Sequence, residues 1–199
     1  MGNTAHVQLE ISHVAIGVTN ALVVASYGGD VIRIECAVME SISGAPELRL
    51  TGSMGEVMRE SAETALSLLR CSNELEISPE AFHADIHIHA TQADRTKEGP
   101  SAGLPILLAL CSALTHRALP GDVASTGELT LSGSISPVGG IREKLAAAQR
   151  QGIKRVLIPA ANMAEVAALP ADLVDGFEIV AVRTAAEAFK AVWPTSTGN

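Results

Sequence analysis

Short apolar segments with an alternating pattern fill the first quarter of the chain. VQLEI, HVAIGV, ALVVASY, DVIRIECAVM and ELRLTG are rich in β-branched residues and separated by Gly, Asn or Pro, so each predicts a strand. Gly28-Gly29-Asp30 predicts a tight turn between two of them. From Gly55 to Arg70 the apolar residues recur at helical spacing, and DIHIHA (residues 85–90) returns to strand alternation.

The second half of the chain alternates helices with strands. Residues 101–115 are apolar nearly all round, which predicts a buried helix, and ELTLSGSISPV predicts a hairpin turning at Ser132-Gly133. The later predicted elements are a helix over 141–151, the strand RVLIPA, a short helix over 163–169, the strand EIVAV and a helix over 184–193 with Thr184 as N-cap. We therefore expect an α+β fold in one domain, with a strand-rich first half and an α/β second half. The expected domain covers residues 13–194, between an N-terminal extension (1–12) and a C-terminal tail (195–199).

Composition narrows the classes of protein. Acidic residues outnumber basic ones 22 to 14, and aromatic residues make up 3% of the 199 residues, which argues against a nucleic-acid-binding protein. The longest apolar stretch, residues 104–114, is shorter than the roughly 20 residues that cross a bilayer, so we expect no membrane segment. There is no secretory signal pattern, and the three widely spaced cysteines favour buried thiols in the cytoplasm.

The segment Gly99-Pro100-Ser101-Ala102-Gly103 is the sharpest local chemical feature. Small neighbours would let a substrate backbone approach the Ser101 hydroxyl, and the free N–H groups of the following helix would suit a developing oxyanion. The alternative interpretation is that Ser101 is only the N-cap of that helix.

The order of serine, acidic and histidine residues along the chain bears on two classes of serine hydrolase. The segment matches G-x-S-x-G, but an α/β-hydrolase needs an acid and then a histidine after the serine. The only later histidine is His116, with no acid between, so that triad is excluded. A chymotrypsin-like order (His13, Asp30 or Asp85, then Ser101) stays open on counting alone, although that nucleophile lies in a β-barrel loop rather than at a buried helix.

Lysine is the next candidate for the base. Of the four lysines, Lys97 lies in a polar loop, Lys154 before a predicted strand and Lys190 on the last predicted helix. Lys144 instead falls at the edge of the apolar stripe of its helix, near the helix start, where desolvation and the helix dipole both disfavour the ammonium. A neutral amine is what a general base requires. The alternative is a lysine whose stem covers apolar surface while its amine reaches water.

His87 and His89 share one face of a predicted strand and are candidate metal ligands. A third ligand at suitable spacing is missing from the sequence, so we interpret them as strand histidines and expect no metal. No phosphate-loop motif is present either.

Several longer stretches occur together in order: EGPSAG (98–103), STGELTLSGSISPVGGIREKLAAA (125–148) and GIKRVLIPAAN (152–162), with GGDVIRIECA, LTGSMGEVMRESAETAL and DIHIHA upstream. Over about residues 14–193 the sequence thereby resembles the proteolytic domain of the Lon proteases. The resemblance implies a serine endopeptidase with a Ser–Lys dyad, in which Ser101 is the nucleophile and Lys144 the base. Thr126 corresponds to the threonine that orients the lysine amine.

The resemblance also implies supporting residues. Glu35 matches an acid near the site, and Gly99 precedes the nucleophile in the matched segment. Glu98 stands where many bacterial members carry Asp, which leaves open whether the resting site is open or blocked. Pro105 is a second departure from the usual pattern, at a place in the first helical turn where a missing N–H costs least.

Partners follow from the same resemblance. Lon proteases carry an ATP-driven AAA+ unfolding module ahead of this domain, and the matching strands here begin about a dozen residues after Met1. We therefore expect no ATP hydrolysis and no cofactor in this chain alone, unfolded polypeptides as substrates, and a hexameric tendency. The alternative function is a non-catalytic Lon-like module for binding or assembly.

Overall fold

The computed structural model describes residues 14–25, 28–42, 44–72, 77–92 and 99–194. Its strands are β1 (Val18–Ala25), β2 (Gly28–Met39), β3 (Leu48–Thr51), β4 (Asp85–Ala90), β5 (Val123–Ser125), β6 (Glu128–Leu129), β7 (Ile135–Ser136), β8 (Arg155–Pro159) and β9 (Glu178–Val182). Its helices are α1 (Glu56–Cys71), α2 (Gly103–Thr115), α3 (Ile141–Arg150), α4 (Met163–Ala167), α5 (Ala171–Val174) and α6 (Ala185–Val192). Short 3₁₀ turns cover Pro79–His83, Pro100–Ala102 and Ala160–Asn162.

Seven strands form one mixed sheet in the order β3-β4-β2-β1-β5-β8-β9. The strands β1, β5, β8 and β9 run parallel, whereas β2 is antiparallel to both β1 and β4. The strands β6 and β7 form a separate hairpin. A strand-rich first half thus precedes a parallel α/β half, which confirms the predicted fold class.

Helices cover both faces of this sheet. One face packs against α1, α2 and α6 in the larger apolar cluster, and the other packs against α3, α4 and α5. Successive side chains of a strand point to opposite faces, so the neighbours Ala21 and Leu22 of β1 belong to different clusters. The central strands are therefore apolar at consecutive positions in the sequence.

Most predicted elements are present, and Thr184 caps α6 by accepting the Glu187 amide at 3.2 Å. The predicted turn at residues 28–30 is wrong, because these residues already belong to β2. A side chain at Gly29 would place its Cβ 1.9 Å from the Glu143 carbonyl oxygen of α3, so this glycine serves close packing between a helix and a strand. The helix α5 was not predicted from the sequence.

Two further expectations change. HVAIGV is not a strand of its own, since only Ala15 makes an isolated bridge before β1 begins at Val18. Cys36 and Cys111 are buried, and burial raises the pKa of each thiol to about 12, but Cys71 is exposed. The segment VQLEI and the expected extension and tail lie outside the described residues. Among the helices that the structure describes, none combines the length and apolarity needed to cross a bilayer.

Candidate active site

Ser101 lies in the 3₁₀ turn Pro100–Ala102, directly before α2. The N-cap of α2 is Ala102 and no side chain caps the helix, so the interpretation of Ser101 as an N-cap is wrong. The apolar helix α2 is buried over twelve of its residues, from Gly103 to Leu114. Its start, with the positive end of the helix dipole, is therefore directed at the Ser101 turn.

The carbonyl oxygen of Ser101 accepts a hydrogen bond from a residue outside the 3₁₀ turn and α2. Gly127 N–H donates to the Ser101 oxygen at 2.9 Å, and Leu104 N–H donates back to the Gly127 oxygen at 3.0 Å. Pro105 explains this arrangement, because it has no N–H for the Ser101 carbonyl four residues earlier. The main chain after β5 therefore fixes the Ser101 turn.

Glycine at position 127 leaves room for this approach. A Cβ there would lie 2.7 Å from Cγ2 of Ile135 and 3.4 Å from Cβ of Leu104. The amides of Gly103 and Leu104 are already used by Pro100 and Gly127. The start of α2 is therefore a narrower source of N–H groups than the sequence suggests, and the turn before it holds two, those of Ser101 and Ala102, because Pro100 has none.

Thr126 is fully buried immediately after the end of β5. Its amide donates to Leu157 of β8 at 3.2 Å, and its hydroxyl lies 3.4 Å from the Ser101 carbonyl oxygen as a donor. Thr126 thus links the carboxyl ends of the parallel strands to the Ser101 turn. A hydroxyl that donates one hydrogen bond still has lone pairs with which to accept another.

Lys144 is buried on the first turn of α3, with 2% of its surface exposed. Lys144 is therefore far less exposed than the alternative interpretation of a surface lysine expects. Desolvation lowers the pKa of Lys144 to about 8, and the negative charge of Glu165 acts against that shift. The described residues offer its amine no hydrogen bond or ion pair, whereas Lys154 and Lys190 are exposed. Lys144 is therefore the described lysine whose amine can be neutral near neutral pH.

The helix α3 is held against the end of the β1–β2 pair. The Lys144 main-chain nitrogen would lie 2.9 Å from a Cβ at Gly29, and Arg150 donates to the Gly29 carbonyl at 2.8 Å. Gly29 pairs with Val24 near the carboxyl end of β1. This register places the Lys144 main chain at that end of the sheet.

The Ser101 turn reaches the same end from the other face. It contacts β1, and farther along α2 the Ser112 hydroxyl accepts the Gly17 amide at 2.8 Å, beside the start of β1. The helix between Ser101 and Ser112 covers about 16 Å, so the start of α2 lies toward the carboxyl end of β1. The main chains at Ser101 and Lys144 therefore both lie toward the carboxyl end of β1, and Thr126 lies at the same end of the sheet.

Other predicted residues take different places. Glu35 pairs with Val18 and with His89 in the sheet, toward the opposite end of the β1–β2 pair from Gly29. No described contact joins Glu35 to Ser101 or Lys144. Gly99 has a φ of 113°, a conformation that favours glycine, and it begins the 3₁₀ turn. Glu98 lies outside the described residues.

The histidines of β4 share one partner. The Thr51 hydroxyl lies 2.8 Å from Nε2 of His87 and 2.8 Å from Nδ1 of His89. They occupy one face of the strand, as predicted, and no group of three potential metal ligands occurs within the described ranges. These contacts give both rings a structural role in the β3–β4 pair.

Asn162 is a buried polar residue near the start of α3 that the sequence analysis missed. It is buried, its Oδ1 accepts the Val138 amide at 3.0 Å, and its Nδ2 donates to the Val138 carbonyl at 2.8 Å. Asn162 thereby fixes the segment that leads into α3. The quoted stretch GIKRVLIPAAN contains it, but an isolated amide after a strand carries no chemical signal of its own.

Comparisons with known proteins identify the family of this chain. The family model for the Lon protease (S16) C-terminal proteolytic domain matches residues 1–194. The chain is 44% identical over 164 residues to Lon protease of Mycolicibacterium smegmatis, covering 82% of this chain and 21% of that protein. It is 42% identical over 177 residues to Lon protease 1 of Thermus thermophilus, covering 88% and 22%. It is also 42% identical over 173 residues to the peroxisomal Lon protease homolog 2 of Oryza sativa subsp. indica, covering 84% and 19%.

The chain thus spans about a fifth of the length of the curated relatives it matches. The family model that matches residues 1–194 describes the C-terminal proteolytic domain of Lon proteases. The chain belongs to the Lon protease family, as its C-terminal proteolytic domain.

Proposed function

We propose that this chain is a serine endopeptidase in which Ser101 is the nucleophile and Lys144 the general base. The observation that carries the proposal is the burial of Lys144, which lowers the pKa of its amine to about 8 at the sheet end that the Ser101 turn also reaches. A buried amine that loses its proton near neutral pH suits a general base. Membership of the Lon family supports the same class of reaction.

In the proposed reaction the neutral Lys144 amine takes the proton of the Ser101 hydroxyl as its oxygen attacks the scissile carbonyl. The negative oxygen of the tetrahedral intermediate accepts hydrogen bonds from N–H groups of the turn that ends at Ala102. The C–N bond then breaks, and the Lys144 ammonium gives its proton to the leaving amine. Water attacks the acyl-enzyme with Lys144 again as base, which releases the acid and restores the Ser101 hydroxyl.

Supporting roles belong to neighbouring residues. The Thr126 hydroxyl oxygen would accept a hydrogen bond from the Lys144 amine while the same hydroxyl donates to the Ser101 carbonyl oxygen. Gly99 would give the turn the left-handed conformation that orients Ser101. We assign Glu98 to the loop before the nucleophile, and Glu35 to the support of the β2–β4 pair rather than to proton transfer.

We also propose the expected partners. Substrates are unfolded or unstructured polypeptides, because an extended chain presents its scissile carbonyl to a site between two helix starts. Unfolding of compact substrates would need a separate ATP-driven AAA+ module, and the dyad itself needs no cofactor. We further propose a homo-oligomer, as a hexameric ring, and the cytoplasm as the location, although one relative is named as peroxisomal.

Cleavage of a short unstructured peptide tests the proposal. Wild type should cleave it, and Ser101→Ala and Lys144→Met should each reduce the rate by about 1,000-fold or more, as when a nucleophile or its base is lost. Lys154→Met is the matched control, because Lys154 is exposed and should leave the rate unchanged. Undiminished cleavage by either site variant would refute the dyad. A folded wild type that binds the peptide without cleaving it would instead indicate the non-catalytic module.

A further inference from the structure

One asparagine side chain bonds both polar groups of a single main-chain residue. Oδ1 of Asn162 accepts the Val138 amide at 3.0 Å, and its Nδ2 donates to the Val138 carbonyl at 2.8 Å. The same Nδ2 atom has a longer contact, at 3.3 Å, with Oε2 of Glu165, which is exposed. Asn162 itself is buried. Val138 is therefore the residue that Asn162 holds most firmly.

These hydrogen bonds connect two parts of the fold that are 24 residues apart in the sequence. Asn162 ends the 3₁₀ turn that directly follows β8, and β8 is an interior strand of the sheet that pairs with both β5 and β9. Val138 belongs to the irregular segment between β7 and α3. Asn162 therefore fixes the chain before α3 relative to the sheet.

The start of α3 has little else to hold it. Its N-cap is Gly140, with a φ of 70°, and no side chain caps the helix. The Gly140 carbonyl accepts the Lys144 amide at 3.0 Å, and a Cβ at Gly140 would lie 2.4 Å from Cγ2 of Val24 of β1. Gly140 follows Val138 by two residues. The hydrogen bonds of Asn162 thus restrain the segment on which the Lys144 main chain depends.

We propose that Asn162 is a positioning residue for Lys144: by holding Val138 it fixes the start of α3 against the sheet and keeps the base in the site. A helix start without a side-chain cap opens more easily. Opening of the first turn would displace the Lys144 main chain and admit water to its amine. The inference rests on the proposed role of Lys144 as base.

The charges around α3 stay the same when Asn162 is replaced. The charged residues on α3 and on the elements that pack with it are Asp30, Arg33 and Glu35 on β2, Arg142, Glu143 and Arg150 on α3, Arg155 on β8, Glu165 on α4 and Asp172 on α5. Asn162→Ala alters none of them. A changed protonation of Lys144 in this variant would therefore report the hydration of its amine.

Hydrogen exchange at the Lys144 amide, followed by NMR, tests the inference without any catalysis. Asn162→Ala removes both main-chain hydrogen bonds and should speed this exchange by about 10-fold or more, because buried hydrogen bonds oppose local opening. Glu165→Ala removes only the longer contact of Asn162 and should leave the exchange at the wild-type rate.

Asn20→Ala is the matched control. Asn20 is also buried, and its Nδ2 donates to two main-chain carbonyls near the start of β5, each at 2.9 Å. Its loss should lower the melting temperature about as much as Asn162→Ala does, because two hydrogen bonds of a buried amide are lost in each variant. The Lys144 amide should nevertheless exchange at the wild-type rate in Asn20→Ala.

The pH profile of peptide cleavage provides the second readout. In Asn162→Ala, kcat at pH 7 should fall by about 10-fold or more and by less at pH 9, because water returns the pKa of Lys144 from about 8 toward its ordinary value. KM should change little, since the substitution removes no group assigned to the substrate. Asn20→Ala should keep the profile of wild type.

The outcomes separate this inference from the proposed function. Wild-type exchange of the Lys144 amide in Asn162→Ala, or an equal acceleration in Asn20→Ala, would overturn the inference even if the enzyme cleaves peptides. Wild-type kcat in Asn162→Ala would overturn it as well. Faster exchange confined to Asn162→Ala, in a chain whose wild type cleaves no peptide, would uphold the link between Asn162 and Lys144 and refute the proposed function.

Discussion

The two halves of the candidate site are built by different means. On the Ser101 side the main chain determines the position of the serine. The features that do so are the 3₁₀ turn, the hydrogen bonds to and from Gly127, and Pro105, which has no N–H. On the Lys144 side, side chains determine position and charge: the burial of the lysine, the two Asn162 hydrogen bonds to Val138 and the negative charge of Glu165. The first half controls where an oxygen lies, and the second controls whether an amine carries a proton.

This difference predicts two separate kinds of defect. Changes beside Ser101 should reduce the rate at every pH, because they displace a reacting atom. Changes beside Lys144 should move the pH dependence, because they alter the free energy of protonation. A substitution beside Ser101 that moves the pH dependence, or one beside Lys144 that lowers the rate equally at every pH, would contradict this division of roles.

The largest expected effect is a gain in stability on the Lys144 side. Burial lowers the pKa of Lys144 from 10.5 to about 8, and about 1.4 kcal/mol per pKa unit makes the buried ammonium cost up to about 3 kcal/mol at pH 7. Lys144→Met fills similar space without charge, so its free energy of unfolding should exceed that of wild type by up to this amount. Urea denaturation of both proteins at pH 7 measures it.

The pH dependence of that gain has a definite sign. Between pH 8 and 10.5 the unfolded chain binds the Lys144 proton and the folded chain releases it, so wild-type stability rises with pH in this window. The advantage of Lys144→Met is therefore full below pH 8 and disappears toward pH 10.5. Comparison with the variant cancels the titration of the buried thiols. A gain that stays constant from pH 7 to 10.5 would show that the amine is not desolvated.

A smaller effect is expected on the Ser101 side from Gly127→Ala. The added Cβ would lie 2.7 Å from Cγ2 of Ile135, which is too close, and we expect the segment to shift and to carry the Ser101 turn with it. A displacement of about 1 Å at a reacting atom costs about 100-fold in rate, and we expect kcat to fall by that order. The midpoint of the pH profile should stay that of wild type, since Lys144 keeps its surroundings.

Gly176→Ala is the control for this change. A Cβ at Gly176 would meet nothing within 4 Å, so its kcat should equal that of wild type. Peptide cleavage measured over a range of pH compares all three proteins. Wild-type kcat in Gly127→Ala would contradict the role of the main chain after β5 in positioning Ser101.

The secondary-structure elements and the two proposed reacting residues can be predicted from the sequence better than the surroundings of those residues. Ser101 stands out because small residues around a serine before an apolar run are a local signal. Lys144 was placed at the edge of a helical stripe, but its burial depends on β1, β2 and α4, which are remote in the sequence. The sequence also makes Gly29 look like a turn residue. The reason that a side chain is excluded there is the packing of α3, which is remote in the sequence.

The reaction of Ser101 with a fluorophosphonate, measured against pH, tests the central claim most directly. The oxygen of an activated serine attacks the phosphorus of this reagent and fluoride leaves, so the serine is phosphonylated without a peptide substrate and the rate reports the pairing of nucleophile and base alone. The labelling rate of wild type should rise with pH through a midpoint near the Lys144 pKa of about 8, and Lys144→Met should label at a low rate that is flat over this range. Equal labelling of Ser101 in wild type and Lys144→Met, with no midpoint near that pH, would contradict the account.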